Sequence, residues 1–592
     1  MRVGVDTGGT FTDVVTETGE VVKVPSTPRD PAAAVRAASP TNTSVLVHGT
    51  TVATNALLER RGALVALVTN EGLEDVIEIA RQSRPSLYDQ WADRPEPLVP
   101  RSWRIGVPGR LDAGGREIEP LALGGLAKRL AELGGVEAVA VCLLHADLEA
   151  AHERAIVHAL RAAGFDAVAS HEVSPEMREY ERTITTVVDA YLRPVCREYL
   201  STVGMLAADV RIMTSAGGLR PAAAAAEHPA SLLLSGPAAG VRAAAEAATA
   251  NGFGRAVSFD MGGTSTDVCL IVDGVPEPAP TLEVGGFPVR LPAVDIHTIG
   301  AGGGSIAWID AGGALQVGPR SAGADPGPAC YGRGGRLPTV TDADLLLDRL
   351  PTDNALPGIG RPDRRAARRA MAAAGVDPPG VVAVVEAAMA QAVRRVTVER
   401  GVDPAGLALV AFGGAGPLHA CAVAEALDMV AVVVPARAGV FSAVGLLGAP
   451  DQHDLVRTWP DALDHDGLDE ARAALAALAV AAIGSGASSS SALDCRYAGQ
   501  SHELRVPAVE AFAAEHARRN GYARPAHPVE VVAVRASAWR PSPVATADLP
   551  RPDRHGVRGP AVLAEADCTI WVPPGWEAEV GAAGAYVLRR QR

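Results

Sequence analysis

Two stretches of this 592-residue chain carry the same chemically capable side chains in the same order. Residues 3–15 read VGVDTGGTFTDVV and residues 257–270 read VSFDMGGTSTDVCL, so D-x-G-G-T-x-T-D occurs twice. A strand running into adjacent glycines can turn tightly and aim backbone N–H groups at an anion. Threonine hydroxyls add donors that phosphate oxygens accept. Gly8, Gly9, Thr10 and Thr12 in the first copy, and Gly262, Gly263, Thr264 and Thr266 in the second, are therefore candidate phosphate cradles. The aspartates cannot sit on phosphate, because like charges repel. Asp6, Asp13, Asp260 and Asp267 are candidates for catalytic work, orienting a nucleophile or holding Mg²⁺ or its waters. One Gly-Gly turn is commonplace. Two near-identical copies so far apart exceed any solenoid period and indicate a domain-sized unit used twice.

Other catalytic patterns are missing. Lys23 and Lys128 are the only lysines, and neither closes a G-x-x-x-x-G-K-[ST] loop, which excludes a P-loop fold. No G-x-G-x-x-G follows the first strand, against a dinucleotide fold. The His-Glu pairs at His152, His171 and His502 do not extend to H-E-x-x-H, and no G-x-S-x-G elbow occurs. Weaker candidates remain. His48, before Gly-Thr-Thr, could contact substrate or cap the next helix. Arg81 and Arg84, near Tyr88 and Asp89, could grip an anionic substrate or simply form surface ion pairs. Asp295 and His297 could ligate a metal, although that spacing is common in ordinary strands. Cys330 would be a nucleophile only beside a base; a buried structural thiol is the plainer reading.

These residues need elements to position them. Residues 45–48, 64–69, 138–144 and 407–412 read as strands, and 51–60, 381–400 and 418–427 as helices. Residues 175–200 have helical spacing, with Tyr180, Ile184, Val187, Val188 and Tyr191 on one stripe. The alternation predicts an α/β architecture with helices covering sheets. Gly413, Gly414 and Gly416 form a glycine turn between the strand at 407–412 and the helix that follows. From about Asp451 the character changes to an Ala-rich helix, a GSGASSSS stretch at 484–491 read as a flexible turn or linker, and short strands broken by Pro and Gly. The expected organisation is a lobe over 1–175 with the first phosphate loop, a second over 176–450 with the second loop and the glycine turn, and a mainly β domain over 451–592.

Composition bounds the rest. Charged residues make up 21% and hydrophobic ones 48% of the chain, a globular balance. A net charge of −14 argues against nucleic-acid binding but not against a local anion site. Seven scattered cysteines without a CxxC pair argue against zinc ribbons and iron–sulfur clusters and for free thiols. The N-terminus carries no signal-like segment and no apolar run spans a membrane, so a cytoplasmic, non-membrane protein is expected.

Two D-x-G-G-T loops followed by a glycine turn resemble the actin-like, Hsp70-like and sugar-kinase ATPase superfamily. That resemblance implies two RNase H-like lobes whose loops grip the phosphates of ATP from opposite sides, with Gly413, Gly414 and Gly416 at the adenosine. More specifically, VHGTTVATNAL (47–57), RQSRPSLYD (81–89), EYERTITTVVDAYL (179–192), MTSAGGL (213–219), SGPAAG (235–240), DIHTIGAGGGSIA (295–307), SAGADPGPACYG (321–332) and YAGQ (497–500) resemble the hydantoinase A/oxoprolinase family. Its members include N-methylhydantoinase A subunits, the matching half of oxoprolinases, and subunits of acetone and acetophenone carboxylases. The chain departs between about Asp451 and Ala492, where it is shorter, and at Asp189 and Asp344, where Asn is expected; the latter departure is expected to concern surface polarity. The resemblance implies ATP, Mg²⁺ organised by Asp6 and Asp260 directly or through water with Asp13 and Asp267 in support, and a cyclic amide substrate (hydantoin, oxoproline or lactam) activated by phosphorylation. It further implies a hydantoinase B-type subunit that delivers water, for which this chain shows no constellation and at its length no room. A carboxylase subunit and an ATP-driven regulatory switch are the alternatives.

Overall fold

The computed structural model describes residues 1–9, 11–27, 30–351 and 360–591; Thr10 lies outside the described residues. The two repeated motifs form the same structure. Arg2–Thr7 buries Val3 and Val5, and Ala256–Met261 buries Ala256, Val257, Phe259 and Met261, the pattern of strands covered on both faces. Each strand turns through its Gly-Gly corner into an antiparallel partner, Phe11–Thr16 or Thr266–Val272. On the other side each lies parallel to a further strand, Val45–Thr50 or Ala408–Phe412. The repeat in sequence is thus a repeat in topology.

Among the described residues the first hairpin belongs to a ten-stranded sheet and the second to a nine-stranded one. A smaller parallel sheet of Ala167–Ala169, Ala138–Val141, Val65–Asn70 and Arg104–Val107 has its own apolar core. Helix Glu179–Gly204 covers the first sheet, with Ile184, Val187, Val188 and Tyr191 buried as their spacing predicts. The hydroxyls of Thr183, Thr185 and Thr186 donate to carbonyls one turn back, so these polar groups are satisfied inside the core. The chain is an α/β protein, as the alternation of elements predicts.

The domain boundaries differ from those expected. Helix Glu179–Gly204 and strands Asp209–Met213 and Leu219–Pro221 belong with the first hairpin, beyond the expected limit at 175. Most described strands after 450 join one of the two large sheets. Asp451–Thr458, Ser488–Tyr497, Leu504–Val506 and Val529–Arg540 extend the first sheet, while Val557–Arg558, Trp576–Val580 and Tyr586–Arg590 extend the second. Residues 488–491, read as linker, lie within a strand paired to Ala536–Trp539. Turn signals mark where strands end; they do not say which open sheet edge a strand will complete.

Helix Phe441–Gly448 sits where the two lobes meet. A Cβ at Gly4, in the first strand, would lie 2.4 Å from the Ala443 carbonyl oxygen, and one at Gly445 would lie 2.2 Å from that of Ala239 in helix Ser235–Ala250. Only glycine permits these backbone contacts. No helix of the described residues is long and apolar enough to cross a membrane. Gly445→Ala is expected to destabilise the protein by about 1–3 kcal/mol through overpacking, whereas Gly406→Ala, with open space around its Cβ position, leaves the melting temperature essentially unchanged. Thermal melting of both variants checks this.

Candidate active site

Both hairpins open onto one cleft of about 1460 Å³. Their registers match: Asp6 faces Asp13 across the first hairpin, and Asp260 faces Asp267 across the second. All four aspartates line the cleft, with Gly8, Gly9, Gly262, Gly263 and Thr264 at the corners. No protein atom comes within 4 Å of a Cβ placed at Gly9 or Gly262. The N–H groups of Gly9, Gly263 and Thr264 meet no protein acceptor among the described residues. These corners can admit an anion to bare backbone. Thr12 and Thr266 do not join them: both are fully buried. Thr266 donates to the Ala301 carbonyl at 2.6 Å, and Thr12 meets Ser26, whose hydroxyl holds the Gly8 carbonyl at 2.7 Å. They brace the loops from behind, because alternate strand residues face opposite ways.

The glycine turn closes the cleft. Gly413 has φ +78°, and a Cβ there would lie 2.4 Å from Asp260 Oδ1. Gly413 and Gly414 line the cleft, while Gly416 starts helix Gly416–Ala426 behind them. The glycine run at 300–304 also acquires a role that its sequence did not reveal. Gly303 and Gly304 donate to the Gly262 and Gly263 carbonyls at 3.0 and 2.7 Å, and a Cβ at Gly302 would lie 2.7 Å from the Thr264 nitrogen. This run backs the corner at 262–264 by direct backbone contact.

Electrostatics single out the carboxylates. Each keeps some surface toward the cleft yet is walled in by protein. Burial first, then neighbouring carboxylates, pushes Asp6 up to about 7 and Asp260 up to about 8. Burial raises Asp267 to about 6, against the Thr298 hydroxyl bond. Burial also raises Asp13, opposed by Lys23, whose ammonium sits 2.7 Å away. Ser442 donates to Asp260 at 3.3 Å. Lys23 and Ser442 are cleft residues that the motif analysis missed; the scarcity of lysine was the one available signal.

Several candidates lie elsewhere. His48 is fully buried, with Nδ1 3.0 Å from the Val5 carbonyl and Nε2 2.7 Å from the Tyr199 hydroxyl. Burial lowers it to about 4, so it is a neutral core residue out of reach of the cleft. Arg81 donates to Glu181 at 2.8 Å and Arg84 is exposed; neither lines the cleft. Asp295 and His297 do line it, but Asp295 is ion-paired with Arg400, and burial with the nearby Arg395 and Arg400 lowers the pKa of His297. Cations at hand and a committed carboxylate do not make a metal site. Glu565, Asp567 and Cys568 bring ligand-type atoms together, yet Arg554 holds Glu565 and the Gly439 N–H donates to Asp567, each at 2.7 Å. Cys330 is buried, its thiol pushed far up by burial and Asp342, and is inert.

Asp189 and Asp344 are not surface residues. Asp189 is buried and accepts from the Ala230 N–H at 3.0 Å. Asp344 is buried behind the glycine turn, 3.3 Å from Nε2 of His419, whose Nδ1 is 3.1 Å from Glu386. The same helix, Val340–Leu346, holds Gly303 through Thr341, so this charge cluster joins the glycine turn to the backing of the second loop.

Two facing lobes, each with a strand–Gly-Gly–strand hairpin at a shared cleft, define a multi-domain α/β ATPase-like fold. The profile of the hydantoinase/oxoprolinase N-terminal region matches residues 2–164, and that of hydantoinase/oxoprolinase matches residues 182–454. The caprolactamase subunit alpha of Pseudomonas jessenii is 33% identical over 99% of each chain. The 5-oxoprolinase 1 of Arabidopsis thaliana is 34% identical over 75% of this chain and 41% of its own length. The crystal structure of ATP-dependent caprolactamase from P. jessenii superposes with a TM-score of 0.85 at 31% identity, covering all of both chains. The chain belongs to the hydantoinase/oxoprolinase family.

Against the desolvation that disfavours its charge, Asp344 and Glu386 raise His419 from 6.5 to about 9. A folded-state value above the unfolded one stabilises fully below about pH 6.5 and is lost as pH rises through about 9. Melting temperatures should therefore fall across that window. Asp344→Asn should lower the His419 value and move the fall toward neutral pH, as followed by melting curves and the imidazole NMR titration.

Proposed function

We propose that this chain is the ATP-hydrolysing subunit of a cyclic-amide hydrolase. Amide resonance makes a lactam a poor electrophile toward water. In the proposed reaction the amide oxygen takes the terminal phosphoryl group of ATP, with ADP leaving, which makes the lactam carbon electrophilic. A B-type hydantoinase subunit then delivers water to that carbon; the adduct expels the protonated ring nitrogen, which opens the ring, and hydrolysis of the resulting acyl phosphate releases carboxylate and phosphate. The observation that carries the reading is the pair of matched hairpins facing one cleft, supported by the likeness to caprolactamase subunit alpha along nearly the whole chain.

The donor set fits Mg²⁺. Asp6, Asp260 and Asp267 are held toward neutrality by burial, which for the first two is reinforced by neighbouring carboxylates, and a divalent cation reverses that logic. Asp6 and Asp260 would hold the metal, directly or through water, and when bound it would offset charge on the phosphates. The chain's own parts do the rest. Backbone N–H groups at Gly9, Gly263 and Thr264 receive phosphate oxygens, Gly413 and Gly414 leave space for the nucleoside, and Ser442 orients Asp260. Fixed dipoles of this kind stabilise developing charge without reorganising.

Asp260→Ala should abolish ATP turnover while the melting temperature stays near that of the wild type. Wild-type hydrolysis rates in that variant would remove the assignment. With ATP and a panel of hydantoin, oxoproline and caprolactam, the isolated chain should release phosphate without stoichiometric ring opening. Ring opening by the isolated chain would remove the partner from the scheme, and stimulation by ketone plus bicarbonate instead would favour the carboxylase reading.

A further inference from the structure

The two hairpins are alike in sequence and register, but their outer neighbours differ. Strand Val21–Pro25 pairs with the first hairpin so that Lys23 stands opposite Asp13. Strand His297–Ile299 pairs with the second hairpin so that Thr298 stands opposite Asp267. These positions are topologically equivalent, and they hold a cation in one copy and a hydroxyl in the other. Lys23 Nζ lies 2.7 and 2.9 Å from the two Asp13 oxygens, whereas Thr298 donates a single bond to Asp267 at 2.5 Å.

Lys23 also reaches across the cleft. Its third contact, at 3.3 Å, is the carbonyl of Gly439, in the turn that follows strand Ala431–Val434 of the other sheet. The side chain is 17% exposed, and its ammonium lies 5.1 Å from the Phe11 ring centroid. Phe11, Gly8 and Gly9 line the same cleft, and the Gly8 N–H donates to the Phe11 carbonyl at 3.0 Å, which ties this corner to the neighbour of Lys23. The other cleft-wall cations, Arg395 and Arg400, sit near His297 beside the second hairpin, with Arg400 committed to Asp295. Lys128, the second lysine, is a surface residue. At the first phosphate corner Lys23 is thus the side-chain cation within reach among the described residues.

We infer that Lys23 is the residue that recognises the terminal phosphate of ATP: the first hairpin meets that phosphate through Lys23, while the second, without a cation opposite its Asp267, leaves its carboxylates free to join Asp6 at the metal. An ammonium has three donors, all now spent on Asp13 and Gly439. The contact to Gly439 is the longest and is the one a phosphate oxygen would replace. Occupation by ATP, but not by ADP, then exchanges a cross-cleft contact for a phosphate contact. This makes the position of the 438–440 turn sensitive to the terminal phosphate.

The inference rests on the proposed ATP chemistry, and one titration separates the two. Calorimetric binding of ATP·Mg²⁺, a non-hydrolysable ATP analogue and ADP·Mg²⁺ is measured on the full chain and on Lys23→Met and Lys23→Arg. A lost charge-assisted contact predicts that Lys23→Met weakens ATP and its analogue about 10- to 100-fold. ADP should change by less than about threefold on the same ground, and Lys23→Arg should recover part of the ATP loss. A purely structural partner of Asp13 has no reason to distinguish the nucleotides. Equal weakening of ATP and ADP, or no change in either, overturns the Lys23 assignment while leaving nucleotide binding in place. A wild-type chain that binds neither nucleotide overturns both readings. Should Lys23→Met fail to fold, Lys23→Gln carries the same comparison, because its amide keeps a donor to Asp13 without the charge.

Discussion

The architecture hangs on one close backbone contact, the seating of helix Phe441–Gly448 against both halves of the molecule. Gly4 lets the first strand approach Ala443, and Gly445 lets the helix approach Ala239. On either side of these contacts, Ser442 reaches Asp260, and Leu446 packs beside Gly49, whose Cβ position lies 3.1 Å from Asp6 Oδ1. One helix of eight residues therefore touches the neighbourhood of both aspartate pairs. Close-packed interiors transmit displacement rather than absorb it, so the separation of the two hairpins is set by atoms that have no room to move.

What that spacing confines is unfavourable charge. Four carboxylates around one cleft, with Lys23 the lone ammonium among them, repel one another and lose hydration. The raised values of Asp6, Asp260 and Asp267 express that strain on their ionised forms. Strongly perturbed carboxylates in a cleft mark a candidate functional site, and a cation placed among them would relieve their repulsion. The glycines serve the same end by contact. Those at the corners leave backbone bare, and those at 302–304 press the second corner into shape from behind.

A second charge cluster integrates the chain end with its beginning. Glu176 accepts from Arg290 and from Arg535, each at 2.7 Å, and Arg535 in turn holds Asp494 at 2.6 Å. These residues come from four distant parts of the sequence, and all are buried or nearly so. Removing one partner would leave an unpaired buried charge, which is far costlier than the intact group is beneficial. The cluster ties strands Ser488–Tyr497 and Val529–Arg540 of the first sheet to Glu176 and Arg290.

The chemistry was legible in the amino-acid sequence because it is local. Asp-x-Gly-Gly-Thr-x-Thr-Asp encodes its own turn, its own donors and the facing of its two aspartates, and repetition marked it as deliberate. The α/β class followed from periodicity, and the family from short stretches in order. What the sequence could not carry was long-range. A period of two says which residues share a face, not which face is covered, so His48 was open to either reading until Tyr199 closed over it. Charge at Asp189 and Asp344 read as surface because their partners, Ala230 and His419, are distant in sequence. Turn signals located the late strands but not the sheet edges they complete. Lys23 was visible as one of two lysines and meant nothing until strand register set it opposite Asp13 and within reach of Gly439. Pairing across the fold, settled by which edges and faces were left to bury, made those decisions.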